Sequence, residues 1–529
     1  MTWVRLSCAA DGSDASSKPT IIVSGTRDHA WGTPVGGTGW STTTGMRERA
    51  AATGTQAAWW VDDEPDGLAL RVINDRWGFA PVFWWSDASS IIVADRVDDI
   101  LDQLAHADEA QDVLTDAMAA ATTLEIGQPV GEETLFTGVR ALPPAATLCW
   151  RPARPVEITV QPDRPPVPTS ASRDRRIDAF LEAFEVAISR RHPVDAPVIV
   201  PLSGGADSRH ILLELVAQGV SIDGVVTAAT HRADPELKAA SIVASRLGVA
   251  HHVVDHPVGS LAAEQRNNRL TNYQASELAW YLPVIDHLRS EASTTYDGIG
   301  GDVLSAALYQ SPLRVAAVRR DDWHGLVEDL TGTSRQRQRF VPTAVAGSLP
   351  PRDAVLDHLA ETWRSHAGEP NPLAWAMFTT RTRRHIAMAP CALLHGLTVH
   401  TPYLDDDVVA ALRPMPMTDP VDHQFHRDAI ARRFPAFADV PYDDEISTTW
   451  HDARAAIRRR SAAFRLMVEA GDMFVGGMLS RMASLPSARF KSFKEVRRAI
   501  VVQQAAERAS HVSGGSQAAV QSTEHGRRL

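Results

Sequence analysis

The stretch VIVPLSGGADSRHILLEL, from Val198 to Leu215, constrains this chain more than any other. Val198, Ile199 and Val200 are β-branched and apolar, which suits a buried strand of a parallel sheet. Arg209 to Gln218 has a helical pattern, with Ile211, Leu212 and Leu215 on one side and Gly219 as its stop. Between strand and helix lies the turn Ser203-Gly204-Gly205-Ala206-Asp207-Ser208. Gly204 and Gly205 let an anion approach the main chain. The helix that follows turns its free N–H groups and positive dipole end to the same point. Ser203 and Ser208 add hydroxyl donors, and Asp207 can hold Mg²⁺ between phosphates. The turn reads as a polyphosphate cradle. No Gly-Lys-Ser/Thr follows the glycines, so it is not a Walker P-loop.

The turn resembles the SGGxDS pyrophosphate loop of enzymes that adenylate with ATP and release pyrophosphate. That group includes asparagine synthetase, β-lactam synthetase and the lasso-peptide cyclases. A second glycine turn, Asp297-Gly298-Ile299-Gly300-Gly301-Asp302, follows a short β-branched run at Thr294 to Tyr296. Ligands of doubly wound sheets collect at the C-terminal strand edge, so both turns are expected to face one crevice. Asp207 and Asp302 could then share Mg²⁺ beside ATP, with Gly300 and Gly301 near the phosphates. The resemblance implies that the strand end at Val226 and Thr227 receives adenine.

Residues 1–160 are expected to be β-rich, with strands at Thr20–Val23, Leu68–Ile73, Val82–Trp85 and Ile91–Val93 and helices at Asp98–Leu104 and Ala110–Ala121. Two strings here, RVINDRWGFAPVFWW (Arg71 to Trp85) and ETLFTGVRALPPAATLCW (Glu133 to Trp150), resemble the glutaminase-type domain of asparagine synthetases. Glutamine-using members carry a cysteine directly after the initiator methionine. Here that position is Thr2, and Cys8 could serve only after trimming. The expectation is a domain that no longer hydrolyses glutamine and remains as scaffold or substrate-docking wall.

The fold class implied is α/β. An Ntn-hydrolase-like α+β layered domain (1–160) precedes a proline-rich linker (161–172), which has four prolines in twelve residues. A doubly wound parallel-sheet synthetase domain of the adenine-nucleotide α-hydrolase-like, PP-loop type follows (173–507), with a helical C-terminal part. Residues 508–529, poor in apolar side chains, are expected to form a disordered tail. Pro235 to Leu247 and Leu270 to Leu288 have helical patterns.

Departures from asparagine synthetase refine the reading. That family has G-E-G-A-D-E at the second turn; here Ile299 stands at the glutamate, which in the family is tied to receiving ammonia. The nucleophile is therefore expected to be an amine borne by a larger substrate. HTPYLDDDVVAALRPMP resembles the family's closing segment, with His400 and Tyr403 in place of arginine and phenylalanine. The family's lysine beyond it is missing, because 434–449 contains no lysine. Lys491, Lys494 or an arginine must take that role if the protein is an efficient ligase.

Other signals read as structural. His251-His252 lacks a third ligand at useful spacing. Asp405 suits a helix cap, and Glu236 a first-turn acid favoured by the helix dipole. His426-Arg427 and Arg432-Arg433 read as a packed and solvated helix face.

Composition fits these expectations. Of 529 residues, 44% are hydrophobic and 22% charged, as in globular domains. The net charge of −11 argues against a nucleic-acid partner. Three scattered cysteines form no metal or disulfide framework. No leader pattern and no run of about 20 apolar residues is present, so a cytoplasmic protein with no membrane partner is expected. The expected activity is ATP-dependent, AMP-forming amide synthesis on small-molecule or peptide carboxylate and amine substrates. Macrolactam formation on a precursor peptide, with other pathway proteins, is the sharpest version. An ammonia-dependent asparagine synthetase-like enzyme and a non-catalytic nucleotide-binding regulator are the alternatives.

Overall fold

The computed structural model describes residues 3–8, 21–25, 28–34, 54–65, 67–106, 113–231, 234–257, 259–306, 308–331, 341–417, 424–446, 461, 465–466, 468–470 and 493–526. Thr2 and Lys491 lie outside them.

The front of the chain forms two antiparallel sheets. Their strands are β1 (Trp3–Cys8), β2 (Ile21–Gly25), β3 (Asp28–Pro34), β4 (Gly54–Glu64), β5 (Gly67–Asn74), β6 (Phe83–Ser86), β7 (Ser90–Ala94), β8 (Arg140–Ala141), β9 (Ala146–Trp150) and β10 (Glu157–Val160). One sheet runs β2-β1-β7-β6-β8 and the other β10-β9-β5-β4-β3. Strand alternation decides what each face meets. Val4, Leu6, Ile91 and Val93 turn inward onto Trp31, Trp59, Leu70, Val72 and Leu148 of the second sheet. Phe83, Ile92 and Ala94 turn the other way, onto helices Val97–His106 and Ala117–Ile126. The second helix starts seven residues later than Ala110, where Asp116 caps the Ala119 N–H at 2.8 Å.

Behind this module lies a parallel sheet. β11 (Ile199–Pro201), β12 (Gly224–Ala229) and β13 (His251–Asp255) are paired in that order, and β14 (Thr294–Tyr296) pairs with β15 (Thr398–His400). A parallel bridge from Val198 to Thr294 joins the two groups. The strands therefore run β15-β14-β11-β12-β13, and the order reverses between β14 and β11. The chain is a mixed α/β structure whose switch point lies between the two glycine turns.

Three expectations are corrected. Leu270 to Leu288 is not one helix: Leu261–Leu270 ends in a turn where Asn272 and Tyr273 take φ of 57° and 58°, and a new helix starts at Leu282 with Pro283 in its first turn. That turn docks on the front module, where the Asn272 side chain accepts the Val97 N–H at 2.9 Å. The strand Thr398–His400, which ends on the first residue of the closing segment, was not expected. Residues 508–529 are not a disordered tail throughout, because one helix spans Phe493–Gly526. Its Ala509 and Val512 are buried beside Val501 and Ala505 in the front module's helical layer.

A π-helical segment, Phe378–Ile386, fastens the two halves together. Phe378 packs on Trp77 and Phe79. Arg383 is buried and donates to the carbonyls of Gly78 (3.1 Å) and Leu142 (2.8 Å). Arg384 likewise reaches Gly131, Glu133 and Gln274. Removing one such donor strands buried carbonyls. Arg383→Met is therefore expected to lower the unfolding free energy by about 2–4 kcal/mol in urea denaturation. A loss below about 1 kcal/mol, the range of ordinary surface changes, would show that the arginine is dispensable to the junction.

Candidate active site

A cavity of about 430 Å³ opens at the switch point. Its walls include Ser203, Asp207 and Ser208 from the first glycine turn, Val226, Thr227 and Ala228 from the end of β12, and Asp297, Gly298, Ile299 and Asp302 from the second turn. Trp280, Tyr281 and Val284 supply an apolar side.

The first turn is built to leave backbone donors open. The helix Ala206–Ala217 begins three residues before the expected Arg209, so Asp207 and Ser208 belong to its first turn. Gly205 is its N-cap and no side chain caps it, which leaves the helix end ready for an anion. Ser203 Oγ accepts from Gly205 N–H at 3.2 Å, and the Ser203 and Ser208 hydroxyls are 3.1 Å apart.

The two turns interlock through Asp207. A Cβ on Gly298 would come within 2.9 Å of the Asp207 Cβ, and one on Gly301 within 2.6 Å of Asp207 Oδ1. Glycine is required at both positions because the Asp207 side chain occupies that space. Gly300 has φ of +91° and lies against Leu404. The predicted residues thus divide. Ser203, Asp207, Ser208, Val226, Thr227 and Asp302 line the cavity, whereas Gly204, Gly205, Gly300 and Gly301 shape it from behind. Gly204 is covered by Asp443, whose Cβ would lie 2.5 Å from an added Cβ.

Burial and mutual repulsion set the electrostatics. Five carboxylates line the cavity: Asp207, Glu236, Glu277, Asp297 and Asp302. Burial first, and the Asp207 charge second, push Asp302 up to about 7. Burial also raises Asp297 to about 6, although its carboxylate accepts the Ile299 N–H at 2.8 Å. Glu236 rises to about 7 through burial and the nearby Asp443 and Asp234. It is a cavity residue, not merely the dipole-favoured surface acid expected from its place in the helix.

Positive charge is scarcer. Arg381 is the single lysine or arginine among the described lining residues. Lys494 stands outside the cavity, 62% exposed and 3.5 Å from Glu277. His385 lines the cavity, but burial holds it neutral with a pKa of about 3.

Sequence reasoning also missed His426. It is fully buried, with Nδ1 3.1 Å from Asp207 Oδ1 and 2.9 Å from the Ser305 hydroxyl. Its Nε2 lies 3.1 Å from His210 and 3.2 Å from the Tyr403 hydroxyl, which also lies 3.2 Å from the Asp207 carbonyl. An isolated histidine on a polar helix gave no signal of this. His251 lies between the Thr227 hydroxyl at 2.8 Å and the Ser241 hydroxyl at 3.3 Å.

Asp297 and Asp302 keep protons in the fold at a pH where the unfolded chain has lost them. Unfolding then releases protons, so stability of the ligand-free protein falls as pH rises from about 4 through about 7. Asp302→Asn is expected to flatten that slope and to raise the melting temperature at about pH 8. Thermal melts of both proteins across this range check it; parallel curves would contradict the charge assignment.

A comparison with curated proteins finds no match to this chain. Among protein families, residues 179–435, just under half the chain, match the one described as asparagine synthase. The match supports ATP-dependent ligase activity and contains both glycine turns and Arg381, while the front module and the C-terminal helix lie outside it.

Proposed function

We propose that this protein forms amide bonds by adenylating a carboxylate with ATP. One observation carries the reading: Asp207 fills the space left by Gly298 and Gly301, so the carboxylates of both turns open into one cavity beneath an uncapped helix end. In the first step a carboxylate oxygen attacks the α-phosphorus. The bond to the bridging oxygen breaks, and its electron pair leaves with pyrophosphate. In the second step an amine attacks the acyl carbon, AMP departs and the amine gives up a proton.

Ser203, Ser208 and the helix N–H groups are the donors for the phosphates, and Val226 and Thr227 offer the strand edge for adenine. Asp207 and Asp302 suit Mg²⁺, which takes few protein ligands and keeps the rest of its shell for water and phosphate. Among the described residues no three metal-ligating side chains gather into a self-sufficient site. A metal held partly by phosphates needs no such cluster. Bound there, it would offset phosphate charge.

Ile299 supports an amine carried by a larger molecule. It lines the cavity with 4% exposure and can neither bind nor deprotonate ammonia. The reading therefore favours a specialised ligase acting on small-molecule or peptide substrates, with macrolactam closure on a precursor peptide as its sharpest form. In this proposal the front module is an Ntn-type domain that serves as scaffold or docking wall.

The test is ATP–pyrophosphate exchange over a panel of carboxylates, alongside calorimetry with Mg·ATP. Asp207→Asn and Asp302→Asn are expected to cut exchange at least a hundredfold without lowering the melting temperature. Product that forms only when ammonium is added would favour the ammonia-dependent synthetase. Tight Mg·ATP binding with no exchange across the panel would favour a regulator.

A further inference from the structure

Every route to pyrophosphate release needs positive charge where the phosphates separate. The cavity has little to offer. Arg209, next to the phosphate turn in sequence, faces away: it is buried, donates to the carbonyls of Val440 and Pro441 at 2.8 Å each, and stacks on Tyr442 at 3.9 Å. Lys494 is separated from the cavity by Glu277.

Arg381 remains. Its guanidinium faces Glu277 at 3.6 Å, hydrogen-bonds Tyr309 and feels the charge of Asp302 across the cavity. Burial works against its charge, but Tyr309, Glu277 and Asp302 together hold it above the ordinary arginine range. Glu277 is itself kept ionised. Burial opposes its charge, yet Arg381, Arg498 and Lys494, with His385 beside them, bring it down to about 2. Arg498 lies 3.4 Å from it. The guanidinium is thus permanently charged and held by a carboxylate that is anchored from the other side.

We infer that Arg381 is a catalytic residue that contacts the phosphates of the nucleotide and takes up the charge growing on the departing pyrophosphate. The inference rests on the proposed ligase reading. A guanidinium suits the task because its fixed fork of N–H donors matches phosphate oxygens. The bond changes are those of the first step above. Arg381 exchanges no proton and stabilises the electron pair that leaves with the bridging oxygen.

The experiment uses the full-length chain and calorimetry with adenosine, Mg·ATP and Mg·pyrophosphate. Arg381→Gln is expected to weaken Mg·pyrophosphate and Mg·ATP at least tenfold while adenosine changes less than threefold. Arg381→Lys, which keeps the charge, is expected to recover part of the loss. This variant also keeps the question decidable should the glutamine variant fail to fold. Equal pyrophosphate binding by wild type and Arg381→Gln, or by wild type and Arg381→Lys should the glutamine variant not fold, would overturn the inference, as would an equal loss for adenosine or a loss confined to Lys494→Ala. Failure of the wild type to bind Mg·ATP would instead bring down the ligase reading, and this assignment with it.

Discussion

Crowded negative charge at the switch point governs this structure. Two turns, from β11 and β14, bring Asp207 within van der Waals reach of Gly298 and Gly301 and so force Asp302 and Asp297 to share a buried space with it. Burial, together with repulsion from Asp207, opposes ionisation of Asp297 and Asp302. On the proposed ligase reading, a divalent cation bound with the nucleotide would offset that repulsion. On that same reading, the crowding would disfavour a bare polyanion and admit one that arrives with its own divalent cation.

Holding Asp207 in place requires support from elements distant in sequence. His426 Nδ1 lies beside both its carboxylate and the Ser305 hydroxyl, His426 Nε2 lies beside His210 and the Tyr403 hydroxyl, and that hydroxyl also reaches the Asp207 carbonyl. A second brace covers the outside of the first glycine turn. Tyr442 is sandwiched between Arg209 at 3.9 Å and Arg427 at 4.3 Å, and Asp443 N–H donates to Gly204 O at 3.3 Å. Gly204 therefore serves the close packing of chain on chain behind the turn, whatever part its neighbours play in front.

What could be read in advance follows from the range of each interaction. The placing of the two glycine turns and of most strands was legible because the signals are local: glycines at fixed offsets, β-branched runs and a stop at Gly219. Helix Pro235–Leu247 was read to its ends because Asp234, Pro235 and Gly248 punctuate it. Leu270 to Leu288 was misread because apolar periodicity runs straight through the break, and the reason for the break, Asn272 gripping Val97, lies in another module. Glu236 and His426 carry no local mark either. Their importance comes from Asp443 and Asp207, which arrive from elsewhere in the chain. The C-terminal helix was missed past residue 508 because its apolar content is sparse. Among the described side chains Ala509 and Val512 are what is buried there, on a face already formed by the front module.

That helix gives the front module a mechanical reason to persist. Arg508 pairs with Asp98 at 3.1 Å and also reaches Asp102, fixing the helix to the front module, and Arg498 donates to the Glu125 carbonyl at 2.7 Å. The same Arg498, with Lys494, flanks Glu277 in the cavity wall. One rigid element therefore spans from the front module's helical layer to the carboxylate that faces Arg381. A module that had lost its own chemistry would still be needed under this arrangement, because deleting it would remove the surface on which the helix lies and leave Glu277 with fewer charges to hold it. The position of Arg381, the one lysine or arginine among the described lining residues, is in this sense decided outside the domain that contains it.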